Sequence, residues 1–93
     1  MAKQQIKTVN LKGEKEAIKF DKYATVWYVA NWSESDIYVS LDAEADISQS
    51  NRVAPGEWFK PTVNMYAGAD NNATNTIYIT GTGSVEVQQL CWK

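Results

Sequence analysis

The chain has 93 residues, enough for one domain, and a domain of this size buries only about two-thirds of the surface that its unfolded chain exposes. Its hydrophobic content of 44% and charged content of 22% are ordinary for a globular protein and exclude wholesale disorder. With no histidine and one cysteine, the chain lacks the residues for most acid–base and triad chemistry, for a zinc site and for an internal disulfide, so we expect no enzyme.

The formal net charge of −2 is unevenly distributed along the chain. Residues 1–22 carry six lysines against three acids, whereas residues 23–93 carry three basic residues against eight acids. We therefore distinguish a basic N-terminal segment, 1–22, from a β-sandwich domain, 23–93. The segment is either an arm whose Lys3, Lys7 and Lys12 dock on the acidic body of a neighbouring copy, or an edge strand whose lysines keep it soluble.

The first elements are weakly patterned. Residues 5–11 predict a weak strand, because their apolar residues do not alternate strictly. After a turn, residues 17–20 suit either a short strand that buries Ile18 and Phe20 or a helical turn that continues from the charged residues before it. Both alternatives stay open.

The strand that begins at Tyr23 is apolar or aromatic on both faces. Alternate residues form two rows: Thr25, Trp27 and Val29 on one face, and Val26, Tyr28 and Ala30 on the other. Such a strand is covered by its own chain on both sides, or it faces its own core on one side and a partner on the other. We expect the second arrangement, because so short a chain has too little material to cover both faces.

Two hairpins are predicted. The first returns from the Tyr23 strand through a polar loop at 31–35 to a strand at 36–42. The second joins two alternating runs within 75–88 through a turn at Gly81 and Gly83, since glycine readily adopts the positive φ of a tight turn. The residues expected to point inward are Ile37, Val39, Leu41, Ile77, Ile79, Val85 and Val87.

The remaining segments are short. Residues 42–50 predict a loop or a brief helical turn, and Arg52 and Val53 a short strand. Pro55 and Gly56 occupy the two central positions of a type II turn. Further strand material lies at 58–59 and 63–66, and the longest exposed connection at 67–75. Seven or eight short strands predict an all-β, antiparallel β-sandwich or jelly roll, with a small closed β-barrel as the alternative.

Little in the chain suggests a cofactor. Asp42, Glu44 and Asp46 alternate within one loop and are the best candidate for binding calcium. An EF-hand loop, however, needs glycine where Ile47 stands and glutamate where Val53 stands. We therefore expect solvated loop charges, no bound metal and no cofactor.

Membranes and nucleic acids are also disfavoured as partners. The longest apolar run, 26–30, is far shorter than the ~20 residues of a membrane-spanning helix, and the first five residues begin no signal-peptide pattern. A lone Cys91 fits a reducing compartment, so we expect synthesis in a cytoplasm. The acidic body disfavours nucleic acid, which requires a basic surface.

Six residues form the candidate interface or ligand platform: Val26, Tyr28, Trp32, Tyr38, Trp58 and Tyr78. The three tyrosines fall opposite the aliphatic rows and predict an outward stripe, which the two tryptophans extend from loops. Rigid rings with a polar tip suit protein interfaces and stacking on sugars, although tyrosine is also an ordinary strand former.

Several segments resemble small all-β virion accessory proteins of tailed bacteriophages and prophages, of the head-decoration or head-fibre type. The similar segments are Asp-Ile-Tyr-Val-Ser-Leu-Asp at 36–42, Val-Ala-Pro-Gly-Glu at 53–57, and the Ile-Tyr-Ile strand with its Gly-Thr-Gly turn at 75–83, followed by Val-Glu-Val at 85–87. The resemblance covers residues 25–90. It implies a β-sandwich or jelly roll that assembles as a symmetric oligomer on a capsid or tail and has no active site.

The leading hypothesis is therefore a non-enzymatic virion structural protein, located in the virion or in the host bacterial cytoplasm before assembly. It would form a homo-oligomer through the aromatic face and dock on a capsid through the basic arm. The alternative is a carbohydrate-binding module whose aromatic platform stacks on a glycan.

Overall fold

The computed structural model describes residues 5–65 and 73–92, which form seven β-strands and two short 3-10 turns. The strands are β1 (Gln5–Lys12), β2 (Glu16–Asn31), β3 (Ile37–Ser40), β4 (Asn51–Val53), β5 (Trp58–Phe59), β6 (Thr74–Thr80) and β7 (Thr82–Trp92). Every pairing between them is antiparallel. The predicted all-β antiparallel class with seven or eight strands is confirmed, although β2 and β7, with 16 and 11 residues, are longer than the short strands expected.

The strands form one curled sheet in the order β1-β7-β2-β6-β3-β4, with β5 paired to β2. The first half of β2 pairs with β6 and its second half pairs with β7. A straight strand of 16 residues would be about 50 Å long, but the molecule measures 34 Å along its longest axis, so β2 has to bend. The bend curls the sheet into a half-barrel, which is consistent with either a small sandwich or a barrel-like fold.

The bend in β2 coincides with breaks in its register. The pairing with β6 shifts between Lys19 and Ala24, and the pairing with β7 shifts on both sides of Val26. These shifts change which residues point inward: Ala24 and Trp27 are both buried, whereas Thr25, predicted to lie on the same face as Trp27, is half-exposed. A β-bulge changes face alternation in this way, because it adds a residue to one strand only.

A single core lies inside the curl. Trp27 is completely buried and contacts Phe20 edge-to-face, with 5.2 Å between ring centroids. All seven residues expected to point inward from the two predicted hairpins are buried, which confirms both rows: Ile37, Val39, Leu41, Ile77, Ile79, Val85 and Val87. The buried amide of Gln89 donates a 2.6 Å hydrogen bond to the carbonyl oxygen of Lys22 and thereby fixes the chain at the bend of β2.

Both predicted hairpins are wrong in their pairing. β6 and β7 follow one another through Gly81, yet β6 lies between β2 and β3, whereas β7 lies between β1 and β2. Likewise, β2 and β3 are consecutive but are not neighbours in the sheet. At Gly81 the chain passes close to β3, since a Cβ there would stand 2.8 Å from Cγ2 of Ile37. Glycine is therefore needed at position 81 because the backbone passes close to β3 there, and not because it forms the turn of a two-stranded hairpin.

Among the shorter elements, two predictions are confirmed and one is wrong. The type II turn is confirmed, because the Glu57 N–H donates to the Ala54 oxygen at 3.0 Å and Gly56 has a φ of 78°. The helical-turn alternative for 42–50 is confirmed by a 3-10 turn at Ile47–Gln49. Strand at 63–66 is wrong, since Val63–Met65 forms a second 3-10 turn. Residue 66 and most of the expected tip at 67–75 lie outside the described residues.

Residues 5–12 and 16–22 of the N-terminal segment belong to the sheet, and residues 13–15 connect the two strands. β1 is an edge strand that pairs with β7 from Gln5 to Lys12. Residues 17–20, left open between strand and helical turn, are part of β2 and bury Ile18 and Phe20. The boundary drawn after residue 22 therefore falls inside a continuous strand.

Candidate functional site

One outer face of the sheet collects aromatic and polar side chains. Ala30 of β2 is paired with Trp58 of β5 and with Glu86 of β7, and Tyr28 is paired with Gln88, which in turn is paired with Ile6 of β1. Directly paired residues point to the same side of a sheet, here opposite the buried Trp27 and Val29. We call this surface the aromatic face, defined by Ile6, Tyr28, Ala30, Trp58, Glu86 and Gln88.

Trp58 is the most prominent side chain of the aromatic face. Its indole contacts the Tyr28 ring, with centroids 5.8 Å apart and planes inclined by 31°, and 58% of the residue remains exposed. Ala30 beneath it is only 2% exposed. The chain thus covers part of the second face of β2 with its own β5, but in doing so it presents an indole to solvent. The uncovered apolar surface expected on β2 therefore lies mainly on Trp58.

A groove lies along the same edge of β2 as Trp58. It has a volume of about 410 Å³ and is lined by Thr25, Val26, Thr62, Val63 and Asn64; we call it the Thr62 groove. An isolated bridge between Val26 and Thr62 holds its two walls together. Inside it, the Thr62 hydroxyl donates a hydrogen bond to Oδ1 of Asn64. The lining residues that the structure describes are all uncharged, so this part of the groove suits a neutral group with apolar surface.

The tyrosines at 38 and 78 lie elsewhere, on the outer side of β3 and β6. Tyr78 is paired with Ala17 of β2 and with Ser40 of β3, and Tyr38 is paired with Thr80. Tyr28 lies in the second half of β2, beyond the bend and beside β7. The predicted stripe of three tyrosines is therefore divided between two parts of the curled sheet.

Lys15 covers the surface around Tyr78. Its ammonium lies 5.5 Å from the centroid of the Tyr78 ring and donates to the carbonyl oxygens of Ala43, at 2.5 Å, and Ala45, at 2.8 Å. These contacts fasten the 42–46 loop over this part of the sheet. Tyr78 is thus less available to a partner than Trp58.

Lys15→Met should lower the free energy of unfolding by about 1 kcal/mol, because it removes an exposed charge-assisted contact with two carbonyls and a cation–π contact. The matched control is Lys12→Met, since Lys12 is an exposed lysine of β1 with no side-chain partner among the described residues. Urea denaturation of both variants measures the difference. Equal effects would show that the Lys15 contacts contribute nothing to stability.

The predicted docking lysines have separate environments. Lys7 donates to the carbonyl oxygen of Lys19 at 2.5 Å and lies 5.1 Å from the centroid of Phe20, so its ammonium connects β1 to β2 within one chain. Lys12 is exposed at the end of β1. Lys3 lies outside the described residues. A lysine that turns inward from an edge strand also discourages pairing of that edge with another chain.

Trp32 is as exposed as Trp58, at 60%, but follows the end of β2. The backbone N–H of Trp32 donates to the carbonyl oxygen of Ser84 at 3.0 Å. The loop around it is organised by the buried Asn31, whose Oδ1 accepts from both the N–H and the hydroxyl of Ser33. Within the described residues Trp32 makes no ring contact with Trp58, so the two tryptophans do not form one platform.

The acidic loop uses its carboxylates for its own backbone. Asp42 accepts from the Glu44 N–H at 2.9 Å, and Asp46 caps the first 3-10 turn by accepting from the hydroxyl and the N–H of Ser48. The Ser48 hydroxyl bond lowers the pKa of Asp46 below its ordinary value. The cap therefore contributes stability above that ordinary pKa and loses it as the pH falls through the lowered one. Across 5–65 and 73–92, no three His, Cys, Asp or Glu side chains are placed to hold a metal ion.

Comparison with known proteins adds no relative. No protein-family model matches the chain, and neither curated proteins nor solved structures match it. Among the described residues there is also no helix that could span a membrane. Function is therefore inferred from the chemistry and geometry of the aromatic face and the Thr62 groove.

Several residues of this surface were missed by sequence reasoning. Ile6 and Gln88 join the aromatic face only because β7 is inserted between β1 and β2. Thr62 and Asn64 line the groove because residues 61–62 continue alongside β2. There the backbone N–H of Trp27 donates to the carbonyl oxygen of Pro61 at 2.9 Å. Pro61 was the available signal, since proline in a sheet stands at an edge.

Proposed function

We propose that this chain is a non-catalytic assembly protein that associates with copies of itself through the aromatic face. The observation that carries the proposal is the Trp58 indole, which Tyr28 supports from one side while more than half of the residue stays exposed. Burying the exposed part of a tryptophan gains roughly 2–4 kcal/mol. Tryptophan and tyrosine are also the residues most often found at the energetic centre of protein interfaces.

The setting that we propose for this assembly is a virion, where the protein would decorate or extend a capsid or tail. Two observations support it: the resemblance of segments within 25–90 to phage accessory proteins, and an antiparallel all-β fold of the class that the resemblance implies. In this setting Lys12, an exposed basic residue of β1 with no side-chain partner among the described residues, is available for docking on a larger acidic surface.

The test is the molar mass as a function of concentration, measured by size-exclusion chromatography with light scattering. From micromolar to millimolar protein, the mass should rise from 10.4 kDa towards a multiple of it. Trp58→Ser should abolish the rise, whereas Trp32→Ser, which removes an equally exposed indole away from the aromatic face, should preserve it. A monomer at every concentration would refute the proposal.

A second function, glycan binding, is favoured by the polar neighbours of Trp58. Glu86 and Gln88 lie on the aromatic face beside an exposed ring, a combination that can stack on a sugar and bond its hydroxyls. A glycan array probed with the wild-type chain and with Trp58→Ala distinguishes the two functions. Glycan binding by a strictly monomeric chain, lost in Trp58→Ala, would favour this function over assembly.

A further inference from the structure

We infer that two copies pack face to face so that Trp58 of each enters the Thr62 groove of the other. This inference rests on the proposed self-association and specifies its geometry. The pairings of Ala30 with Trp58 and of Val26 with Thr62 follow one register, which places Trp58 and Thr62 on the same face of β2. One contact surface can therefore include both the indole and this wall of the groove.

The positions of the two parts follow from the register of β2. Trp58 stands opposite Ala30, and Thr62 stands opposite Val26 on the same edge of β2. Four residues of extended chain separate these positions, a distance of about 13 Å. Tyr28 lies midway between them.

A two-fold axis can exchange these positions. An axis that lies in the plane of the contact and crosses the strands at Tyr28 places Trp58 of one copy over Thr62 of its partner, and the reverse. The same operation places Tyr28, Gln88 and Ile6, which form one row across β2, β7 and β1, against the equivalent row of the partner. Such a contact is closed, so it produces a dimer and not an open filament.

The chemistry of the groove matches an indole. Val26 offers partly exposed apolar surface, and none of the described lining residues carries a charge that would have to be desolvated without a partner. Oxygen atoms of Thr25 and Asn64 can accept from the indole N–H, which needs a partner once it is buried.

Lys60 gives the contact a salt dependence. Continuing the β2–β5 register places Lys60 opposite Tyr28, near the proposed axis, and its ammonium lies 5.8 Å from the centroid of Trp58. In the dimer, the Lys60 ammonium groups of the two copies approach one another. Dimerisation should therefore strengthen with salt, and Lys60→Gln should reduce that dependence.

The experiment is sedimentation velocity on the full chain with two complementary variants. Trp58→Ser removes the indole, and Thr62→Arg fills the groove. Each should raise the dimer dissociation constant by at least about 100-fold, since each removes two aromatic anchors per dimer. An equimolar mixture should associate more tightly than either variant alone, because the mixed dimer keeps one intact contact. Trp32→Ser is the control and should dimerise as the wild type does.

A second measurement follows Trp58 directly. In protein labelled with 5-fluorotryptophan, the fluorine resonance assigned through Trp58→Phe should shift with concentration, while that of Trp32 should not. If Thr62→Arg dimerises as the wild type does while Trp58→Ser does not, the inference is wrong and the proposed function stands. If Trp58→Ser also dimerises as the wild type does, both are wrong. If the wild type stays monomeric, the proposed function fails and the inference with it. Should Thr62→Arg unfold, Asn64→Arg replaces it as the variant that blocks the groove.

Discussion

Trp27→Ala should lower the free energy of unfolding by about 3–5 kcal/mol, a large part of the 5–15 kcal/mol that stabilises a typical domain. Trp27 is completely buried, packs on Phe20 and lies where β2 changes from β6 to β7. Its removal would leave a cavity at the bend that curls the sheet. Urea denaturation followed by circular dichroism measures the loss.

Two variants make this prediction specific. Trp32→Ala removes an equally large side chain that is 60% exposed, and it should change stability by less than about 0.5 kcal/mol. Trp27→Phe should cost much less than Trp27→Ala, because it keeps an aromatic ring and Nε1 of Trp27 has no hydrogen-bond partner within the described residues. A phenylalanine variant as unstable as the alanine variant would contradict this account of the core.

Gly83→Ala should be the second most damaging change, with a loss of about 2–5 kcal/mol. Gly83 has a φ of 92°, and a Cβ there would stand 2.5 Å from Cβ and 3.3 Å from Cα of Ser33. Backbone strain of about 1–2 kcal/mol adds to about 1–3 kcal/mol of steric overlap. Ser33 has little freedom to yield, because its N–H and its hydroxyl both donate to Oδ1 of Asn31.

Gly56 supplies a matched control for the steric part. Its φ of 78° is also positive, but a Cβ at this position would meet nothing within 4 Å. Gly56→Ala should therefore show the backbone strain alone, about 1–2 kcal/mol. Denaturation midpoints of the two variants measured side by side separate the two effects. Equal losses would mean that the loop at Ser33 moves away freely.

The local pattern of the chain identified its inward-facing residues correctly but not the partners of its strands. Ile77, Ile79, Val85 and Val87 are buried as the alternation predicts, although the two strands that carry them are not paired with each other. Alternation reports which side of a strand is buried, and it is the same whichever strand lies beside it. The pairing depends on β2, which is distant in sequence and is inserted between them.

For the candidate site, too, the sequence indicated individual residues but not the contacts between them. Trp58 and Tyr28 could be named from the sequence, because an aromatic residue opposite an aliphatic row is visible in the pattern. Their contact, the burial of Ala30 beneath them and the nearby groove could not, since all three depend on residues 58–62 running beside β2. Lys7 was predicted to dock on a neighbouring copy, and only the fold places a carbonyl oxygen and an aromatic ring of its own chain beside its ammonium.

By itself, the sequence determined the all-β class, the inward rows of the strands and the turn at Pro55 and Gly56. These are local properties, set by side-chain alternation and by the φ values that each residue type allows. Only the tertiary structure decided the strand order, the bend of β2, and the position of the Trp58 indole on the same surface as the Thr62 groove. These features arise from hydrogen bonds between segments far apart in the chain. The pattern of a short stretch of sequence does not specify which distant segment it pairs with.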